Sequence, residues 1–426
     1  MIEEYLTTVM GISRETVELF KKAERDVEDR IKDADDTAFY NQAKVLRAMQ
    51  GNQLSDGHFH GTNGYGYHDH GRDALEAVYA DVFRAEAALV RPQMVSGTHA
   101  LTVALFGILR PGDELLSPVG KPYDTLDGVI GIRKTDGSLA DYGISYQQAD
   151  LLPDGCIDYG NIERLMCKKT KMAIIQRSKG YSWRHSLTVR EIEELIGFIK
   201  SIDKNVICLL DNCYGEFVEA SEPTADLIVG SLIKNPGGGM APSGGYIAGK
   251  YSYVEMAAQR LTAPGLGREV GPTLGLTSLL AQGLFIAPQV VAGSVKGAVL
   301  TSRMFQLLGY DVLPKPQEKR GCIVQAIRFG NEERLLAYCR GVQRAAPVDS
   351  FAVLEASDMP GYDAPVVMAA GNFVQGASIE LSADAPVKPP YIAYVQGGLT
   401  WHHARLGAML AADPFVRGIQ YGKKRV

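Results

Sequence analysis

The sequence predicts an α/β fold, with a mainly parallel sheet covered by helices and then a smaller α+β unit. From about Arg72 onward, short apolar runs of strand length alternate with amphipathic helical stretches. Strands separated by helices pair in parallel and are buried on both faces. The chain has 426 residues, too many for one hydrophobic core, so two or more domains are expected. The Gly- and Pro-rich segment Ala263–Pro272 interrupts the alternation, and a long apolar helix is predicted after it, from about Thr273 to Leu308.

Residues Ser13–Gln50 carry helical periodicity with charged faces and read as an N-terminal arm. Gly51–Gly71 is rich in Gly, His and Tyr and is too long for a plain connector. Arg72–Ala88 is amphipathic, Ala88–Pro92 is strand-like, and Gly97–Leu109 is helical again. Asp113–Ser117, Lys171–Gln176, Val206–Asp211, Leu227–Ser231 and Gly245–Gly249 read as strands, with a helix over Thr188–Ile202 between two of them. Leu313-Pro-Lys-Pro316 closes the long helix. The expected division is an arm over 1–60, a large domain over 61–300 and a small domain over 301–426.

Composition narrows the functional classes. Lys and Arg total 44 against 49 acidic residues, a formal charge of −5, which argues against a nucleic-acid binder. No apolar run is read as long enough to span a membrane, and the opening residues do not form a signal peptide. The six cysteines are scattered without CxxC spacing, as in a reduced, cytoplasmic protein.

The stretch Ser231-Leu-Ile-Lys234-Asn-Pro-Gly237-Gly238-Gly239 points to chemistry. Packing does not explain a lysine placed there, because a buried ammonium without a partner is costly. A lysine of depressed pKa can form a Schiff base with an aldehyde cofactor, and pyridoxal 5'-phosphate is the usual one. The glycines would let backbone pass close to it. Such a site also needs an acid for the ring nitrogen, an anion hole and an aromatic cover.

Each of these has a candidate. Asp211 ends an apolar strand, where open α/β sheets bind ligands, though an Asx-turn would explain it too. Ser96-Gly97-Thr98 lies between a strand and a helix, so its backbone N–H groups can bind phosphate; Ser96 or Thr98 can equally be a helix cap. Ser231 adds a hydroxyl to the same phosphate or is an ordinary strand-end serine. Tyr123 is the stacking candidate and, read otherwise, a surface-anchored loop residue. The His58–Arg72 loop holds four of the chain's eight histidines. It lacks HExxH or cysteine partners, so no metal site is assigned there. Tyr65, Tyr67 and Arg72 fit better as contacts to an anionic ligand, across a subunit boundary.

Taken together, these motifs resemble the Cys/Met-metabolism group of fold-type I pyridoxal-phosphate enzymes, which includes methionine γ-lyase and cystathionine β-lyase. Gly64–Arg72, Arg91–His99 and Lys234–Gly239 are similar to its methionine γ-lyase-like, or aluminium-resistance, branch. The resemblance covers nearly the whole chain. It implies a seven-stranded large-domain sheet and a smaller C-terminal α+β domain. By the same resemblance Lys234 is the cofactor lysine, Asp211 the ring-nitrogen partner, Gly97 and Thr98 phosphate ligands, and Tyr123 the stacking ring. In the wider group a tyrosine and an arginine reach the neighbouring subunit's phosphate, roles that fall in this chain to Tyr65 or Tyr67 and to Arg72. A homodimer or homotetramer with shared sites follows.

One departure concerns the substrate. The lyases carry a carboxylate-binding arginine within a run resembling Arg-Leu-Ser, where this chain has Ser378-Ile-Glu380-Leu-Ser382. Arg405, Arg177 and Arg184 are the possible substitutes, and none stands in the expected place. The activity implied is elimination of a thiol from a sulfur-containing amino acid, with Lys234 as general base and Tyr123 as a further acid/base. The alternatives are another pyridoxal-phosphate reaction, such as an aldolase, decarboxylase or aminotransferase, or a non-catalytic metal-tolerance protein.

Overall fold

The computed structural model describes residues 1–359 and 364–418, so parts of the unit read as 301–426 lie outside the described residues. Seven strands form the first sheet: β1 (Ala87–Arg91), β2 (Glu114–Ser117), β3 (Ser145–Gln148), β4 (Thr170–Gln176), β5 (Ile207–Asp211), β6 (Leu227–Ser231) and β7 (Gly245–Gly249). Their order is β1-β7-β6-β5-β4-β2-β3. From β6 to β3 all neighbours are parallel, and β7 runs antiparallel to both β6 and β1. The sheet is therefore mainly parallel, as alternation predicts. β3 has no apolar run to announce it, because Ser145-Tyr-Gln-Gln148 is a polar edge strand with half its residues exposed.

Burial explains why the other strands were legible. Residues of β5 and β7 are buried on both faces, and helices such as Gly97–Ile108 and Val189–Ile202 cover the sheet. A second sheet is antiparallel throughout, in the order β10-β11-β12-β9-β8. It comprises β8 (Asp311–Leu313), β9 (Gln325–Arg328), β10 (Val366–Ala370), β11 (Ser382–Pro386) and β12 (Ile392–Gln396), with helices Glu332–Arg344 and Trp401–Val416.

The arm is shared between the two sheets. Helix Arg14–Asp26 buries Val17, Phe20 and Ala23 in the core of the second sheet, whereas helix Glu28–Gly51 sends Val45 and Ala48 into that of the first. Helix Thr277–Leu307 joins the two cores. By length and composition it would cross a membrane, which corrects the expectation that no apolar run reaches that length; 83% of its apolar window is buried inside the fold. It is a core helix.

Candidate active site

Two parallel strand ends set the site. β5 and β6 are paired with Asp211 opposite Val229, so Asp211 and Ser231 emerge side by side at the carboxyl edge of the sheet. Lys234 follows on a short turn, and Asn235 Nδ2 donates to the Glu216 carbonyl at 2.9 Å, which ties the lysine's turn to the loop after Asp211. Beneath that loop Arg177, fully buried, donates to Asn212 Oδ1 at 2.8 Å, to Glu219 at 3.0 Å and to Glu222 at 3.4 Å. This network fixes the residue next to Asp211. It also removes Arg177 from the carboxylate-clamp candidates.

These groups open into a cavity of about 810 Å³ between the two sheets. Its large-sheet wall carries Ser96, Gly97, Thr98, Tyr123, Asp211, Ser231 and Lys234. The fold thus brings together residues that the sequence singled out one by one. Ser96 Oγ accepts from the His99 N–H at 3.1 Å, so Ser96 is the cap of helix Gly97–Ile108. The first N–H groups of that helix have no partner within it. They meet the end of β6, where a Cβ added at Gly97 would lie 3.3 Å from Ser231 Cβ.

Ser231 Oγ has no hydrogen-bond partner although the residue is buried. An unmet buried hydroxyl costs about 1–3 kcal/mol, and an anion seated on the helix N-terminus would satisfy it. Thr98 Oγ1 is within 2.7 Å of Thr125 Oγ1 beside the same spot. The residues present therefore fit a phosphate group.

Asp211 both closes a turn and faces the cavity. Its Oδ1 accepts from the Cys213 N–H at 3.1 Å, an Asx-turn, while the carboxylate also lines the cavity. Burial pushes its pKa up, and Lys234 and the Cys213 hydrogen bonds work against that. Lys234 is half-buried, with Nζ 4.0 Å from the centre of the Tyr214 ring.

The expected depressed pKa is not found at Lys234. Burial does oppose its ammonium, but Cys213, Tyr214, Asp211 and Glu216 outweigh burial and hold the pKa above the ordinary lysine value. Burial pushes Cys213, Tyr214 and Asp211 up in turn. Burial lowers Lys44 and Lys179 instead, and brings Lys179 to about 7. Its Nζ donates to the Leu313 carbonyl at 2.6 Å behind Tyr123 and Tyr181.

The glycine cluster also has a different role from the one expected. A Cβ at Gly237 would lie 1.8 Å from the Leu232 carbonyl, and one at Gly238 (φ +55°) 2.4 Å from the Gly283 carbonyl. The glycines press the lysine's turn onto the core helix and are not among the cavity's lining residues.

Tyr65, Tyr67 and Arg72 stand apart from this cavity. Arg72 is buried and donates to the carbonyls of Gly66 at 2.9 Å and Gly271 at 3.3 Å, pinning the loop that carries the tyrosines. Tyr65 and Tyr67 stack on each other at the surface, 69% and 53% exposed, with centroids 5.4 Å apart. Asp69 knots the loop, accepting from Thr62, Thr273 and the Arg72 N–H. His58 and His60 bond within their own turn, and among the described residues no group of three potential metal ligands converges.

Of the second-sheet wall, the sequence singled out only the Ser378–Ser382 run. Met368, Ser378, Ser382, Asp384 and Gln396 line that wall, with Tyr181 and Tyr214 between the walls. Period-two alternation puts Ser382 and Asp384 on the cavity face of β11, and Ala383 and Ala385 in the core. Glu380 of the arginine-less run accepts from the Phe373 and Val374 N–H groups at 2.9 and 3.0 Å, and so supports the loop at the rim. Arg405 pairs with Glu24 at 2.9 Å, and Arg184 donates to the Gln176 carbonyl at 3.2 Å; neither lines the cavity.

The family model described as methionine gamma-lyase matches residues 16–416. The chain belongs to the methionine gamma-lyase family. It is 49% identical over 409 residues to the uncharacterized protein YnbB of Bacillus subtilis (strain 168), covering 94% of this chain and 97% of that one. The crystal structure of a carbon–sulfur lyase involved in aluminum resistance from Clostridium novyi NT superposes with a TM-score of 0.92 at 47% identity, over 96% of this chain and 98% of that one. The pyridoxal-5'-phosphate-dependent protein YhfS of Escherichia coli shares the fold, with a TM-score of 0.57 at 16% identity over 89% of this chain and 95% of that one.

Proposed function

We propose that this family member is a pyridoxal-phosphate-dependent carbon–sulfur lyase acting on a sulfur-containing amino acid. It would release a thiol, a keto acid and ammonia by elimination of the kind described for methionine γ-lyase or cystathionine β-lyase. The observation that carries the reading is the convergence of Lys234, Asp211 and the unmet Ser231 hydroxyl at the helix N-terminus of Gly97, on one cavity wall. Family membership and the likeness to a carbon–sulfur lyase support the reaction class.

Gly97, Thr98 and Ser231 would hold the phosphate, Asp211 the ring nitrogen, Tyr123 the ring face, and Lys234 the aldehyde carbon. When bound, the cofactor supplies an electron sink for the bond broken next to the amino group. Lys234 Nζ lies in the cavity to take and return the α-proton, and the Tyr123 phenol at the same wall serves the leaving sulfur. Tyr181 packs edge-on against Tyr123 with centroids 5.9 Å apart and holds that ring in place.

A dimer or tetramer is part of the reading. The paired, exposed rings of Tyr65 and Tyr67 would reach a second copy's phosphate, on a loop anchored by Arg72. All six cysteines are free, in keeping with a reducing, cytoplasmic setting. The test is turnover of S-alkylcysteines and methionine by the reconstituted protein. Equal yields of thiol, keto acid and ammonia support the reading, and an amino group retained on the cofactor contradicts it.

A further inference from the structure

The second-sheet wall bears on what the substrate carries beyond its sulfur, an inference that rests on the cavity being the amino-acid site. Asp384 stands on β11 between Met368 of β10 and Tyr394 of β12. Gln396 Nε2 donates to its Oδ2 at 3.3 Å and to Ser382 Oγ at 3.2 Å. That amide and the Tyr181 side chain orient the carboxyl group, and burial penalises its charged form, which a nearby cation would favour. Among the described lining residues Lys234 is the sole lysine or arginine, and it stands on the opposite wall.

Tyrosines flank this carboxylate: Tyr394 is its cross-strand neighbour, and the Tyr181 side chain hydrogen-bonds to it. Tyr181 stacks on Tyr394 with centroids 5.2 Å apart, and the Tyr394 hydroxyl donates to the Tyr181 carbonyl at 2.6 Å. Tyr214 already carries one ammonium over its ring, that of Lys234. A carboxylate among tyrosine rings is the chemistry that recognises a cation. A substrate side chain ending in a carboxylate would be repelled there, and an uncharged one would leave Asp384 with only the neutral donors Gln396 and Tyr181.

We propose that Asp384 is a specificity-determining residue that receives a cationic group on the substrate's side chain. The preferred substrates are thioether amino acids bearing a second ammonium beyond the sulfur.

The test uses the holoenzyme with matched pairs. S-(2-aminoethyl)cysteine is compared with S-propylcysteine for thiol release. Free lysine is compared with 2-aminoheptanoate for binding, read from the cofactor's absorbance. The wild type is expected to favour the cationic member of each pair by roughly tenfold or more. D384N is expected to bring both ratios toward one, and D384E to keep part of them. Wild-type ratios near one, or ratios that D384N leaves unchanged, overturn the assignment. If neither cysteine derivative releases thiol but lysine still binds preferentially, the lyase reading fails and the role of Asp384 stands.

Discussion

The cavity's two walls are built on different principles. On the large-sheet side, Asp211, Ser231 and Lys234 stand at parallel strand ends, where Arg177, Asn212 and Asn235 lock the backbone from below. On the other side, Ser382, Asp384 and Gln396 project from the face of an antiparallel sheet, alternating with core alanines. Position is set by main-chain geometry on the first wall and by side-chain choice on the second. The first suits a fixed cofactor shared across a family. The second can change its chemistry one residue at a time without disturbing the fold.

The largest effect that would break this division is at Lys234. K234A should lose the bound cofactor's absorbance band and lower turnover by at least about 10³-fold, with the fold retained by circular dichroism. A variant that kept both would place the chemistry elsewhere. Arg177 tests the support beneath the first wall. R177A leaves the buried Glu222 without its cation and Asn212 Oδ1 without its Arg177 donor and should cost about 3–5 kcal/mol in denaturant unfolding. A change confined to substrate affinity would instead restore it as a carboxylate clamp.

A smaller, pH-dependent effect belongs to Glu216, whose pKa burial raises from 4.5 to about 8. Its Oε1 accepts from the Tyr246 hydroxyl at 2.8 Å. The folded state keeps the proton longer than the unfolded chain, so stability is lost as pH rises between 4.5 and about 8 and the loss levels off above that. E216Q should flatten that slope, and parallel curves for the two proteins would contradict the burial argument. Least of all, S231A should weaken binding of pyridoxal phosphate roughly tenfold in an absorbance titration, while the apoprotein, freed of an unmet buried hydroxyl, becomes somewhat harder to unfold.

The same division explains what could be read from residues alone. Asp211, Ser231 and Lys234 sit beside continuous apolar runs, and the runs locate the strand ends. The Ser96-Gly97-Thr98 turn likewise announces a helix start. Asp384 gave no such signal, because Ser-Ala-Asp-Ala-Pro386 has the alternation of any half-buried strand and only pairing with β10 and β12 turns its polar face to the cavity. The glycines after Lys234 were visible, but their contact with Gly283 and Ile286 of the core helix depends on residues far along the chain. Likewise Tyr181 and Tyr214 acquire meaning only from the rings and the lysine they meet.

Lys234 and Lys179 offer the most direct trial of the account. Lys179 has the depressed pKa, about 7, that marks many reactive lysines, yet its Nζ is tied to a carbonyl behind the cavity. Lys234 has the raised pKa but faces Asp211 and the anion cup in the cavity itself. Borohydride reduction of the protein loaded with pyridoxal phosphate, followed by peptide mass mapping, shows which nitrogen holds the cofactor. The account predicts the added mass on the peptide containing Lys234, in proportion to bound cofactor. Label on Lys179, or none on either lysine, would contradict it.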